Sequence, residues 1–404
     1  MTYEYDNSEK LNSIEVTLSI GCKLDCHYCP QKLLLNQYFS KNANRSSMMS
    51  FETFKKILSK VKRGGTVCFS GMCEAFLNPD CDDMILYAYE KGFKINLLTT
   101  LIGFKKESFQ KLEKVEFDEI TLHIPDAEGN SKFDITDTYL DNLQTFHDKF
   151  KITSYSCHGS IHPAVQKYLN QMDSFSNHMI NRAGNLDYGA EYHPKGEIIC
   201  MVGTIESYGN WTPEVLPDGT LLLCCMDYGM KHVLGNLLDM GVSEIMHGPE
   251  YKKIQMGMKN DGVDILCRKC SGAMEVLKTP AYKFKSLRET FIQDKNPHSN
   301  VQKILDVFRC SKDICIFGLG KLFWENFFCQ RWNEVLGQTC FCDNSEELWG
   351  KVIDGRPCIP PAELIRLNNP LIITHVADDR AIRRQLKDMG IKNIVNIKDI
   401  YRMV

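Results

Sequence analysis

The chain has 404 residues, with 48 Lys and Arg against 51 Asp and Glu for a formal charge of -3, and 43% of it is hydrophobic and 25% charged. That is ordinary globular composition, long enough for two or three domains at about 150 residues each. The near-neutral charge gives no electrostatic footprint for nucleic acid or acidic lipid. Cysteine is the outlier, at 18 residues.

The opening MTYEYDNSEK has neither a basic nor an apolar export region, and no run reaches the about 18 apolar residues of a membrane span. A cytoplasmic setting with no membrane partner is expected. In such a reducing compartment clustered cysteines read as ligands more readily than as disulfides.

From residue 14 to about 182, short β-rich runs alternate with helical patterns, the signature of βα units on a parallel sheet. Strands are predicted at 14–20, 65–71, 94–100, 119–124, 152–157 and 178–181. Ser50 is placed to cap a helix whose apolar positions Phe51, Phe54, Ile57, Leu58 and Val61 share one face. Gly92 is placed to end the helix at 82–91. Six units imply a partial (β/α)6 barrel of the TIM type, assigned to residues 1–193. Residues 194–299 carry a PDG turn, the run TLLLCC and several cysteines, and read as a small hairpin module followed by a polar linker at 295–300. Alternation resumes in 300–404: helix at 301–308, strand ICIFGLG, helix at 321–332, strands TCFCD and LIITHV, helix DDRAIRRQLKDMG and strand NIVNI. This predicts a Rossmann-like α/β domain, for an overall α/β class.

At the end of the first strand, GCKLDCHYCP spaces Cys22, Cys26 and Cys29 as CxxxCxxC. Three thiolates on one loop can hold three irons of a cubane and leave the fourth open to a substrate. The alternative is a zinc knuckle, which needs a fourth ligand. His27 is poorly placed for that role beside Cys26.

This loop resembles the CxxxCxΦC signature of the radical S-adenosylmethionine (SAM) superfamily, with Tyr28 in the aromatic position. After the second strand, FSGMCEAFLNP is similar to the family's GGEP-like segment, with Gly71 and Glu74 matching and Cys73 and Ala75 departing. The resemblance implies that Glu74 and the surrounding backbone hold the methionine amino group. LLTT, with Thr99 and Thr100, stands where the family often has TNG, and INRAGNL places Arg182 near the cofactor. Tyr28, Gly71, Glu74, Thr99 and Arg182 are therefore the implied SAM contacts, and Cys22, Cys26 and Cys29 the ligands of a catalytic 4Fe-4S cluster. A low-potential electron donor such as flavodoxin or ferredoxin is the implied partner.

Downstream, Cys200, PDGTLLLCC with Cys224 and Cys225, LGNL, and CRKC with Cys267 and Cys270 resemble the SPASM/Twitch auxiliary-cluster extension. The cysteine count suggests the Twitch form, with one further 4Fe-4S cluster on Cys200, Cys224, Cys267 and Cys270. Strand neighbours point to opposite faces, so only one of Cys224 and Cys225 serves. Counting from the turn selects Cys224, with Cys225 as the alternative. Cys68, Cys315, Cys340 and Cys342 read as core residues, while Cys81, Cys157, Cys310, Cys329 and Cys358 lack ligand spacing. Cys73 is weighed as a hydrogen donor against simple packing.

In the last domain Gly318 and Gly320 precede a helix, and Asp343 ends the next strand. That is a nucleotide-site pattern without its third glycine, so a scaffold that binds nothing is equally compatible. The domain also resembles modules of polysaccharide biosynthesis and nucleotide-sugar acyltransferases.

The resemblance implies a radical enzyme that abstracts hydrogen from a small polar substrate. A sugar or nucleotide-linked sugar ranks first, undergoing oxidation, dehydration or epimerisation by an oxidoreductase, epimerase or lyase. Radical maturation of a peptide or protein ranks second, because little chain precedes Cys22 for a peptide-recognition domain. A non-catalytic cluster or zinc protein ranks third. No catalytic acid or base is assigned, although His123, His158 and Asp126 fall near predicted strand ends.

Overall fold

The computed structural model describes residues 10–40, 43–132, 134–169, 175–176, 181–186, 193–200, 211–276, 313–320, 323, 339–353, 356–376 and 378–397. The chain divides into two compact units, Met1–Pro194 with Val202–Ala273, and Lys195–Met201 with Met274–Val404.

In the first unit, β1 (Leu11–Val16), β2 (Val61–Phe69), β3 (Lys94–Thr99), β4 (Glu119–His123), β5 (Ser154–Ser156) and β6 (Phe175–Ser176) follow one another in parallel across one sheet. The helices between them are α1 (Gln31–Ser40), α2 (Phe51–Leu58), α3 (Cys81–Glu90), α4 (Lys106–Leu112), α5 (Asp137–Lys149) and α6 (Pro163–Gln166). This is the expected partial barrel. Ser50 Oγ accepts the Thr53 N–H at 3.1 Å, making it the cap of α2. Gly92 ends α3 at φ 81°, where Phe93 N–H reaches back to Ala88 O.

Several strand boundaries differ from the sequence reading, with β2 at Val61–Phe69 instead of 65–71 and β5 at Ser154–Ser156 instead of 152–157. β1 starts and ends earlier than 14–20, because Ser19 and Ile20 turn away to pair with the 47–48 segment and Gly21 bends the chain at φ 95°. The sixth strand is Phe175–Ser176 instead of 178–181, of which 178–180 lie outside the described residues.

The hairpin region joins this sheet. β8 (Glu214–Val215), β9 (Thr220–Leu222) and β10 (Val233–Asn236) extend it beyond β1, with β8 parallel to β1 and the other two antiparallel. Its core continues that of the barrel, since Leu216, Leu222 and Tyr228 pack with Ile20, Leu34, Tyr38 and Met72. A parallel strand pair and a shared apolar cluster join the hairpin to the barrel. α7 (Val242–Met246) and α8 (Pro249–Lys259) complete the region.

In the second unit, β7 (Ile198–Cys200) pairs with β11 (Ala273–Glu275). A larger sheet runs β14 (Val352–Ile353), β15 (Arg356–Ile359), β13 (Thr339–Cys342), β12 (Ile314–Phe317), β16 (Leu371–Thr374), β17 (Ile394–Asn396). All its pairs are parallel except the β14–β15 edge. The five parallel strands have the order 3-2-1-4-5 of a Rossmann-type sheet. Helix α9 (Arg380–Asp388) packs Leu386 into its core with Cys315, Phe317, Cys342 and Ile372. The helices expected at 301–308 and 321–332, and the linker at 295–300, lie outside the described residues apart from Phe323. No helix among the described residues is long and apolar enough to cross a membrane.

Candidate active site

Ile14, Val16 and Leu18 are fully buried, so Glu15 and Thr17 occupy the alternate face of the same run. After Gly21 the loop delivers Cys22, Cys26 and Cys29, and Asp25 takes a left-handed φ of 41° between them. Cys26 is buried and packs with Leu24 and Tyr28, with Cys22 and Cys29 against that cluster. Cys29 Sγ lies 3.4 Å from Tyr228 Oη and 3.5 Å from Gln31 Nε2. A hydrogen bond with the Cys73 thiol is the main cause that brings Cys22 down to about 6, whereas burial raises Cys26 and Cys29. Cys73 also sits 2.8 Å from Ser19 Oγ, which accounts for it as a packed neighbour of the loop.

The three loop thiols fit a cluster better than a single ion. A tetrahedral zinc holds thiolates about 3.8 Å apart, given Zn–S bonds near 2.3 Å. Among the described residues the one group of three potential ligand atoms within 4.8 Å of one another is Glu15, Glu214 and Cys225. The loop thiols are more widely spread, as ligands of separate irons are.

Tyr28 Oη bonds His123 Nε2 at 2.6 Å and Ser131 Oγ at 3.0 Å, and its ring meets His158 edge-on at 4.2 Å between centroids. The network links the cluster loop to the ends of β4 and β5. Burial drives His123 down to about 3 and His158 to about 4, so both are neutral near pH 7. Burial opposes ionisation of Asp126, but the Asn130 and Ser131 N–H groups outweigh it and hold its carboxyl below the usual range. Asp126 therefore fixes its own loop.

Glu74 caps the 3-10 turn Ala75–Leu77. Oε1 accepts from Phe76 N at 3.3 Å and Thr99 Oγ1 at 2.7 Å, while Oε2 accepts from Thr100 N and Thr100 Oγ1, each at 2.6 Å. This carboxylate pins the end of β3 to the loop after β2. An ammonium group reaches it only by displacing a donor. Thr99 and Thr100 are thus donors to Glu74 in the first instance. Gly71 has φ 77°, and a Cβ there would strike Thr17 Oγ1 and the Glu214 carboxylate. No larger residue fits.

Arg182 and Ala183 both adopt left-handed backbone, at φ 45° and 55°. Asn181 anchors them to the CRKC loop through Lys269 O at 2.8 Å and Ser271 N at 2.9 Å. The Arg182 guanidinium lies 5.9 Å from the Tyr228 ring and 3.6 Å from Met226 Sδ, and among the described residues no carboxylate pairs with it. A guanidinium so placed suits an anionic ligand group, as the carboxylate of SAM is.

Cys224 and Cys225 lie just beyond β9, in the turn that closes on Asp227, instead of on the strand expected for TLLLCC. Cys267 falls in the 3-10 turn Leu266–Lys269, and Cys270 ends it. Gly272 N–H points at Cys270 Sγ at 3.3 Å, a donor suited to a thiolate. His232 fixes this turn to the hairpin, its Nε2 accepting Leu266 N–H at 2.8 Å. Cys200 is buried on β7 and belongs to the second unit. The cysteines read as core residues separate: Cys315 and Cys342 are buried, while Cys68 and Cys340 are partly so, and Cys310 and Cys329 lie outside the described residues.

Residues 16–159 match the sequence profile of the radical SAM superfamily, and residues 207–271 match that of SPASM, an iron-sulfur cluster-binding domain. The chain carries a radical SAM domain followed by a SPASM domain. A 4Fe-4S cluster and SAM are the cofactors of that family, and the SPASM domain brings auxiliary iron-sulfur binding. The profile found for the auxiliary region is that of SPASM.

Three proteins illustrate the likeness. A PqqA peptide cyclase from Streptomyces rochei is 29% identical over 115 residues, which is 28% of this chain and 29% of that protein. The crystal structure of BtrN with AdoMet and 2-DOIA is 16% identical over 65% of this chain and 93% of its own, with a TM-score of 0.44. Streptococcus suis SuiB bound to precursor peptide SuiA is 14% identical over 65% and 70%, with a TM-score of 0.42.

Two residues missed in the sequence are Glu15 and Glu214. The available signal was an acid inside each of two β-rich runs, VTL-flanked Glu15 and WTPEV, where a barrel strand normally alternates apolar residues. That the two acids meet required the β1–β8 pairing.

Proposed function

We propose that this radical SAM enzyme abstracts a hydrogen atom from a peptide substrate and so modifies it. The observation that carries the peptide is the 115-residue stretch shared with a PqqA peptide cyclase. It favours the second sequence reading over the first, and the comparisons do not support the carbohydrate-metabolism assignment. The match covers under a third of the relative, so the kind of peptide and of bond remain part of the proposal.

Cys22, Cys26 and Cys29 would hold the 4Fe-4S cubane, which would supply the low-potential electron for reductive cleavage of SAM. The chain's own groups hold and shield that chemistry. Arg182 takes the SAM carboxylate. Glu74, through Thr99 and Thr100, fixes the loop whose Gly71 allows close backbone approach. Tyr28, tied to His123 and Ser131, walls the loop on one side. Cys224, Cys267 and Cys270, all in the first unit, hold an auxiliary iron-sulfur cluster, as the SPASM match suggests. A cytoplasmic setting, with flavodoxin or ferredoxin as reductant, suits free thiols and oxygen-labile clusters.

The test is deuterium transfer. Anaerobically reconstituted enzyme with SAM and dithionite is given a peptide fraction from cells grown in deuterium oxide, or a panel of deuterated nucleotide sugars. Deuterium in 5'-deoxyadenosine from the peptides alone is expected. Transfer from a sugar alone overturns the substrate class.

A further inference from the structure

We propose that Glu15, Glu214 and Cys225 form a binding site for one divalent cation, zinc by the nature of its donors, distinct from both iron-sulfur sites. β1 and β8 run parallel with Glu15 directly beside Glu214, so the two side chains project from the same face of the sheet. Cys225 follows β9, the next strand. One ligand atom from each of the three lies within 4.8 Å of the others. Glu15 stands about 200 positions from Glu214 and Cys225, so local sequence does not explain its meeting with them.

The carboxylates are held in place before any ion arrives. Glu15 Oε1 accepts from Ser70 Oγ and, at 3.0 Å, from Gly71 N–H. Glu214 Oε1 accepts from Thr17 Oγ1 at 2.7 Å, and Thr17 Oγ1 in turn accepts Met72 N–H at 2.8 Å. The independent observation is the other Glu214 oxygen. Oε2 is buried without a hydrogen-bond partner, on a residue with 0% exposure. A buried acceptor beside a second carboxylate is costly unless a positive charge satisfies both. Arg182 is a cation within electrostatic reach of Glu15 and Cys225, but among the described residues it forms no ion pair with either acid.

The thiol decides the kind of cation. Magnesium and calcium take all-oxygen sets, and a substrate ammonium gains little from sulfur. A thiolate with two carboxylate oxygens suits a borderline ion such as Zn2+. Three protein ligands leave a fourth position open, as in catalytic zinc sites. Glu15 is next to the last residue of β1, and Gly71 lies in the loop after β2, so the site is at the strand ends that also bear the cluster loop. A cation there can polarise a carbonyl or carboxylate oxygen of the molecule bound in that mouth. Cys225 is used here and Cys224 in the auxiliary set, which resolves the vicinal pair without sharing one cluster.

The test uses the full chain with its clusters reconstituted anaerobically, given one equivalent of zinc and desalted. Elemental analysis should find one zinc retained per chain with the iron count unchanged. Zinc-edge X-ray absorption should show a shell of one sulfur with oxygen or nitrogen neighbours. E214Q and C225S should each lose at least about tenfold in zinc affinity while keeping their iron. Failure to retain zinc overturns the proposal, as does equal retention by both variants. A shell with two or more sulfurs also overturns it, since the zinc then sits among cluster cysteines. The shell is read on the unmodified chain, so a variant that fails to fold leaves the test intact.

Discussion

Both units of the chain are built on a mainly parallel sheet, yet they treat their C-terminal strand ends in opposite ways. In the first unit those ends carry three thiols, a guanidinium without a carboxylate partner among the described residues, and a buried carboxylate oxygen with no hydrogen bond. In the second, the acid that could meet a ribose hydroxyl is already engaged. Asp343 Oδ2 accepts Leu319 N–H at 2.6 Å and Oδ1 accepts Ser345 N–H at 2.8 Å, so it ties the loop after β12 to the loop after β13. A Cβ on Gly318 would collide with Val376, so this glycine serves close packing between the β12 and β16 loops. A mainly parallel sheet can serve a ligand or itself. The local difference is whether polar groups at the switch point are satisfied from within.

The widest gap between the two sites should appear in SAM cleavage. Cys26→Ala removes a cluster ligand and with it the cofactor that carries the chemistry, so dithionite-driven 5'-deoxyadenosine formation should fall by about a thousandfold or more. Chromatography of the nucleoside checks it, and a variant that still turns over would break the assignment of the loop. Arg182→Met comes next. Losing a charge-assisted contact should weaken SAM binding about 10- to 100-fold by equilibrium dialysis, with the iron content intact. Unchanged SAM affinity would move the carboxylate contact elsewhere.

What the sequence made legible follows the range of the interactions involved. The CxxxCxxC loop, the Ser50 cap and the Gly92 stop are local, and each could be read from a few neighbouring residues. The six-unit barrel was legible because periodicity repeats. The pairing of β8 with β1 was not, since its partners stand about 200 residues apart and neither run announces the other. For that reason neither Glu15 nor Glu214 stands out in the sequence, where the hairpin reads as a module of its own. Glu74 illustrates a different limit. Its place in the motif was readable, but the four donors around its carboxylate come from Phe76, Thr99 and Thr100 in three dimensions.

The second unit should show its own character in pH dependence. His375 is fully buried at the end of β16, and burial takes it from 6.5 to about 4. Above pH 6.5 it is neutral folded or unfolded, and stability does not depend on it. Between 6.5 and about 4 the unfolded chain binds a proton that the folded one refuses, so stability falls as pH falls. The full shift corresponds to at most about 3 kcal/mol. Urea midpoints for protection of Ile314–Phe317, measured by exchange at pH 7 and pH 4.5, should separate, and His375→Gln should close much of that separation.

The smallest effect is the one that tests the contrast most directly. If Asp343 is a brace, Asp343→Ala leaves two backbone N–H groups to find water and should lower the stability of the second unit by about 1–3 kcal/mol. Leu319 N–H is the half-buried member of the pair, so most of the loss should come from it, and Asp343→Asn should recover part by keeping one acceptor. The variant's 5'-deoxyadenosine formation should match that of the unaltered chain, because Asp343 lies in the other unit from the cluster loop. A nucleotide site predicts the reverse: little change in the urea midpoint, and loss of a nucleotide-dependent thermal shift present in the unaltered chain. That pattern would return the second sheet to the ligand-binding class, and the two units would then differ in what they bind instead of in whether they bind.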